Sequence, residues 1–240
     1  MMVTQEWSGR RLLVSLLLFG ISFGFVEAAV VVYLRPHYAA LQSSYYPERP
    51  EGDLFPLLRL EQLEAAGPMA KRLLAVELAR EAATVVMLAA VGLGLGRNFR
   101  QSFAAFLVAF GLWDLCYYLF LKLLLDWPGT LLDWDLLFLL PVPWAGPVLA
   151  PVLVSVSMIW SGTLALKREA QGKPIQLGAA AWSASIAGGS MIIASFCWDC
   201  RNLMDGGMPT NFNWPLFAAG EALGLSGFFR ALWRSRAREA

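Results

Sequence analysis

The chain has 240 residues, of which 58% are hydrophobic and 15% charged, with a mean hydropathy of +0.54 and a formal net charge of +1. Soluble domains carry nearer 25% charged residues, so the composition excludes an ordinary soluble domain, and the near-neutral balance gives no electrostatic case for a nucleic-acid partner. Several apolar runs reach the roughly 18 residues that mark a transmembrane helix, and the chain reads as an all-α polytopic membrane protein, a single integral domain over 1–240.

The first predicted span covers about 11–34. Arg10 and Arg11 precede it, as basic residues precede a signal peptide's apolar core. The run from Leu12 to Leu34 holds 23 residues and a single charge, Glu27, a length that suits a retained span. The long loop 35–68 follows. Its turn-rich "PHYAALQSSYYPERPEGD" leads into "LFPLLRLEQLEAAG", which is predicted to lie as an amphipathic helix on the membrane surface. Spans 2 and 3 are predicted over 69–95 and 101–124. The stretch 132–147 is apolar but broken by Pro141, Pro143 and Pro147. Proline removes a hydrogen-bond donor and disfavours helix before it, so this stretch is expected to be a half-helix or re-entrant element leading into span 4, 145–166. Spans 5 and 6 are placed at 176–197 and 214–233.

With the N-terminus inside, eleven Lys and Arg flank the inner ends and seven the outer ends. The positive-inside rule then puts both termini in the cytoplasm, most simply of a bacterial inner membrane. Tryptophans such as Trp7, Trp127, Trp198, Trp214 and Trp233 lie near span ends, as interfacial anchors do. Gly20 with Gly24 and Gly220 with Gly224 have the fourfold spacing of helix-packing sites. Span 5 is rich in small residues, which suits a bundle interior or a contact with another copy or another membrane subunit.

Five acids fall inside the predicted spans: Glu27, Glu77, Glu81, Asp114 and Glu221, with one basic residue, Arg80. Glu27, Glu77, Asp114 and Glu221 each lie eight residues from an outer span end, about 12 Å deep at 1.5 Å per residue. Glu81 is one turn deeper than Glu77, and Arg80 borders their shared face. A charge at the bilayer centre costs about 2.5–3.5 kcal/mol on the lenient insertion scale, so the acids are expected to converge on an interior cavity, with Arg80 as its fixed positive charge. A network that only fixes helix packing is the plain alternative. It is disfavoured because buried ion pairs stabilise poorly against apolar replacements.

Several chemistries fit such a set. The expected function is binding of a cation or of protons, in ion-coupled transport or a metal site. Oxygen ligands from Glu27, Glu77, Glu81, Asp114 and Glu221 would suit a divalent cation such as Mg, Ca or Mn. The single histidine, His37, lies in the outer loop, so bis-His haem is not expected. Asp133 and Asp135, at the start of the broken stretch, are read as an entrance. The alternative is a membrane-embedded enzyme acting on a lipid or isoprenoid-like substrate by carboxylate acid/base chemistry. Tyr118, with Tyr117 and Trp113 beside Asp114, would line its site, with membrane lipids as natural partners. The Cys-x-x-Cys of Cys197 and Cys200 admits a redox role, for which only Cys116 could serve as a further thiol. No Ser-His-Asp set or P-loop occurs, and the "GLGLG" at 92–96 lacks the strand a dinucleotide site needs. A third reading, an accessory subunit of a larger membrane complex, suits the small size and the lack of a soluble domain.

Overall fold

The computed structural model describes residues 2–47 and 58–237. Residues 48–57 of the expected outer loop lie outside the described residues, and so does the side chain of His37. The described chain runs as α1 (Met2–Tyr45), α2 (Leu60–Ala65), α3 (Pro68–Leu95), α4 (Phe99–Leu125), β1 (Trp134–Phe138), β2 (Trp144–Pro147), α5 (Leu149–Ala170), α6 (Ala179–Phe196), α7 (Cys200–Met204) and α8 (Trp214–Ala237).

Five of these helices are long and apolar enough to cross a membrane: Gly9–Leu34 within α1, then α3, α4, α5 and α6. The sixth expected span, 214–233, is the 24-residue α8. It has the length, at about 36 Å, but Glu221 and Arg230 lower its apolarity below that of the others. Large side chains such as Leu18, Leu93, Leu123 and Ile186 are more than 60% exposed. Outward-facing leucine and isoleucine are what hydrocarbon, as a solvent, accepts without cost. The protein is an all-α polytopic membrane protein.

Helix α4 is the central element. It packs along α1, α3 and α5, and half of its spanning window is buried, against a fifth to a third in the other four. Close approach is built from glycine. A Cβ added at Gly24 would stand 2.7 Å from Cys116 Cβ and 2.8 Å from the Trp113 carbonyl. Position 24 therefore admits no side chain while α1 lies on α4. Helices α6 and α8 form a second tight pair, and a Cβ at Gly220 would come within 2.8 Å of the Gly188 carbonyl. Gly9 lies against Ala170, and Arg168 donates to Ser235 Oγ at 3.3 Å, so both chain ends gather where α5 finishes.

Two local expectations need correction, and a third is described in part. The apolar window Gly9–Leu34 matches the first predicted span, but the expected loop does not begin at 35, because helix α1 continues through Pro36 to Tyr45. Proline costs one hydrogen bond to the residue four before it, yet the Ala, Leu and Gln that follow are good helix formers, and Ser43 and Ser44 bond back to the carbonyls of Ala39 and Leu41. The expected surface helix is described only as the six residues Leu60–Ala65. Its Gln62 accepts from Tyr46 Oη at 3.1 Å, which pins it to the end of α1.

The proline-broken stretch is not a half-helix. It is an antiparallel β-hairpin, with Trp134 opposite Pro147, Leu136 opposite Ala145 and an irregularity between Leu136 and Phe138. Pro141 and Pro143 occupy its turn, where no ladder donor is needed. It folds back into the bundle. Asp135 reaches Tyr118 on α4, and three residues on, Phe138 packs on Trp113, five residues along α4 from Tyr118. Backbone of this kind survives among spanning helices only when protein covers it. Ala145, Gly146, Pro147 and Val148 are buried, and the rings of Phe196 and Phe212 close over Gly146.

Candidate functional site

The five intramembrane acids are bonded in three groups. Three surround Arg80. Its Nε donates to both carboxylate oxygens of Glu77 at 3.0 Å, its Nη2 also bonds Glu77, and its Nη1 bonds Glu27 of α1. Thr84, one turn further along α3, approaches the other oxygen of Glu27 at 3.4 Å. The planar fork of the guanidinium holds two carboxylates at once, which an ammonium would not do. α1 and α3 both pack on α4, and the Arg80 side chain joins them through these bonds. Glu81, 7% exposed, stays within electrostatic reach of Arg80 but bonds elsewhere: its Oε2 accepts from the backbone N–H of Leu139 at 2.8 Å. That amide is in the hairpin turn, where the ladder offers it no partner. The three charges that α3 carries within five residues of an apolar run are thus partly architectural. Arg80 ties two helices together, and Glu81 satisfies a buried backbone donor of the re-entrant hairpin.

Asp114 bonds to a different helix. It is 7% exposed and accepts from Ser155 Oγ of α5 at 2.7 Å. Tyr118 is one turn further along the same face of α4, and its hydroxyl donates to Asp135 of β1 at 2.8 Å. Asp114 and Asp135 stand on either side of this phenol, within electrostatic reach of each other. Asp135 also accepts from the Leu136 amide at 2.9 Å. It lies outside the spanning helices, and burial pushes its carboxyl up to about 6. Tyr117 lies in the same neighbourhood and packs edge-on against the Tyr118 ring.

Glu221 is alone among the five. It accepts from Ser157 Oγ at 3.1 Å and lines a cleft between α4, α5, α6 and α8. Ser155 and Ser157 are two residues apart on α5, about 3 Å in height and some 200° in rotation. Asp114 and Glu221 therefore lie at nearly one height on opposite sides of α5. That helix separates Asp114 from Glu221, two of the four acids expected at one level.

Asp133, expected at an entrance, is committed to a turn. It accepts from the amides of Gly129 and Thr130 at 2.8 and 3.2 Å and from Thr130 Oγ1 at 2.7 Å. Burial works against its charge, but these bonds outweigh burial and hold the carboxyl below the ordinary range. Among the described residues, no three His, Cys, Asp or Glu side chains are gathered as a metal site. Arg80 occupies Glu27 and Glu77, while Asp114 and Glu221 accept from Ser155 and Ser157 of α5. Cys197 and Cys200 frame the turn between α6 and α7 as unbonded, half-buried thiols. Ser155, Ser157 and Thr84 are site partners that sequence reasoning passed over. Their signal was there: three hydroxyls in otherwise apolar stretches, each able to face an acid.

No family model matches the chain, and comparison with curated proteins and with solved structures also finds no match.

Proposed function

We propose that this is a proton-handling membrane protein, in which Asp114 and Asp135 hold a proton between them and exchange it with the outer side during ion-coupled transport. The observation that carries the reading is the pairing itself. One buried and one half-buried carboxylate flank one phenol, and each accepts from a neutral hydroxyl, Ser155 or Tyr118. Like charges at close range without a cation between them are relieved by one shared proton, and the pair then titrates as a unit. A divalent cation suits this pair poorly, since two hydroxyl donors already take up one oxygen of each acid. Arg80 serves as the fixed charge that holds α1 and α3, with Glu27 and Glu77 as its counter-ions. Both termini face the cytoplasm in this reading, and the hairpin end faces outward, where protons reach Asp135 first.

The test is infrared difference spectroscopy of the protein in lipid, acid minus neutral. A carboxylic-acid carbonyl band should appear on acidification between pH 8 and pH 5. It should be missing from the Asp114→Asn, Asp135→Asn double variant. An undiminished band in a folded double variant would place the proton on another group and end the proposal.

A further inference from the structure

The cleft that holds Glu221 has a volume of about 270 Å³. That is nearly twice the roughly 150 Å³ engineered cavity that stays dry and admits benzene. It runs along α5 from Val154 to Ala165, about 16 Å. Its walls are apolar and carry three aromatic rings, those of Phe103, Trp182 and Phe228. Two wall glycines open onto empty space: a Cβ at Gly189 or Gly224 would meet no atom within 4 Å. At Gly188 and Gly220, by contrast, α6 and α8 nearly touch. Glycine at 189 is not required for helix packing, and its missing side chain keeps the chamber open.

The chamber carries one acidic group without a counter-ion. Glu221 accepts from Ser157, and among the described residues it has no ion-pair partner. The cationic wall residue, Arg100, lies at the far end with Ala165 and Trp182, and it is paired with Glu169 at 3.3 Å. A carboxylate in an apolar chamber rejects anionic lipids and gives a neutral hydrocarbon no charge to answer. Aromatic faces attract a cation through their ring quadrupoles, and more strongly where water is excluded. A positive charge beside an intramembrane acid offsets the cost of burying that acid.

We propose that this chamber is a binding site for lipophilic organic monocations, with Glu221 as counter-ion, Ser157 orienting its carboxylate, and Phe103, Trp182 and Phe228 facing the cation's apolar body. The site lies on the other side of α5 from the Asp114–Asp135 pair and stands independently of the proton reading.

The test uses a charged probe and its neutral isostere, phenyltrimethylammonium and tert-butylbenzene. Their binding to the full chain in nanodiscs is followed by tryptophan fluorescence against empty nanodiscs. The parent should bind the cation at least tenfold more tightly than the isostere. Glu221→Gln should erase that preference while leaving the isostere's affinity in place, and Gly189→Leu should abolish binding of both by filling the chamber. Equal affinity for the two probes in the parent overturns the proposal, and so does a preference that survives Glu221→Gln or binding undiminished by Gly189→Leu. The comparison of probes in the parent needs no variant, so the proposal can be overturned even where a variant fails to fold.

Discussion

Replacing Asp135 by asparagine tests the Asp114–Asp135 pair through stability. In the folded protein Asp135 accepts from Tyr118 Oη and from the Leu136 amide, and burial pushes its carboxyl up to about 6 from an ordinary 3.8. The difference of about two units corresponds to about 3 kcal/mol at 1.36 kcal/mol per unit. Because the folded value is the higher one, the folded state holds the proton more tightly than the unfolded chain. Asp135 therefore lowers stability as pH rises from about 4 to about 6, and above that range its full cost is present. An asparagine side chain would keep an acceptor for the Tyr118 hydroxyl and carry no charge. Asp135→Asn should match the parent near pH 4 and exceed it by up to about 3 kcal/mol at pH 8. The assay is unfolding in mixed micelles by rising dodecyl sulfate, followed by intrinsic tryptophan fluorescence, at pH values from 4 to 8. Parallel profiles for parent and variant across that range would show an Asp135 that ionises normally, and would refute a carboxyl raised by burial.

Arg80→Met should destabilise the fold by about 3–5 kcal/mol, because it leaves Glu27 and Glu77 buried without their cation. Adding Glu27→Gln and Glu77→Gln to it should recover most of that loss, and a triple variant no better than the single one, by the same unfolding assay, would speak against a charge-balance role. Glu81→Leu should cost about 1–3 kcal/mol by orphaning the Leu139 amide, whereas Glu81→Gln, which keeps an acceptor, should cost much less. Equal losses for these two would remove Glu81 from its place at the hairpin. Gly24→Leu should separate α1 from α4 and cut the yield of monodisperse protein in detergent, while Gly94→Leu, at a position open within 4 Å, should not. A reporter fused after residue 205 should read outside, and one fused at the C-terminus inside.

The class of the protein was legible from apolar run lengths alone, and so were the helices that carry the buried acids. Spacing along each helix was legible too, because 1.5 Å per residue is a property of the backbone and needs no partner. Rotation was not. In a water-soluble helix the polar face reveals which side is buried, but here both the protein-facing and the lipid-facing sides are apolar, and hydrocarbon is as apolar as leucine. Nothing in the run of α5 said that Ser155 would meet Asp114 while Ser157 met Glu221 on the opposite side. That choice comes from glycine-mediated approach and side-chain fit between helices distant in sequence. The hairpin shows the same division. Its prolines announced a break, but the strand pairing of 134–138 with 144–147, and the Leu139 amide that Glu81 satisfies, exist only once α3 and α4 are in place to cover backbone that lipid would not.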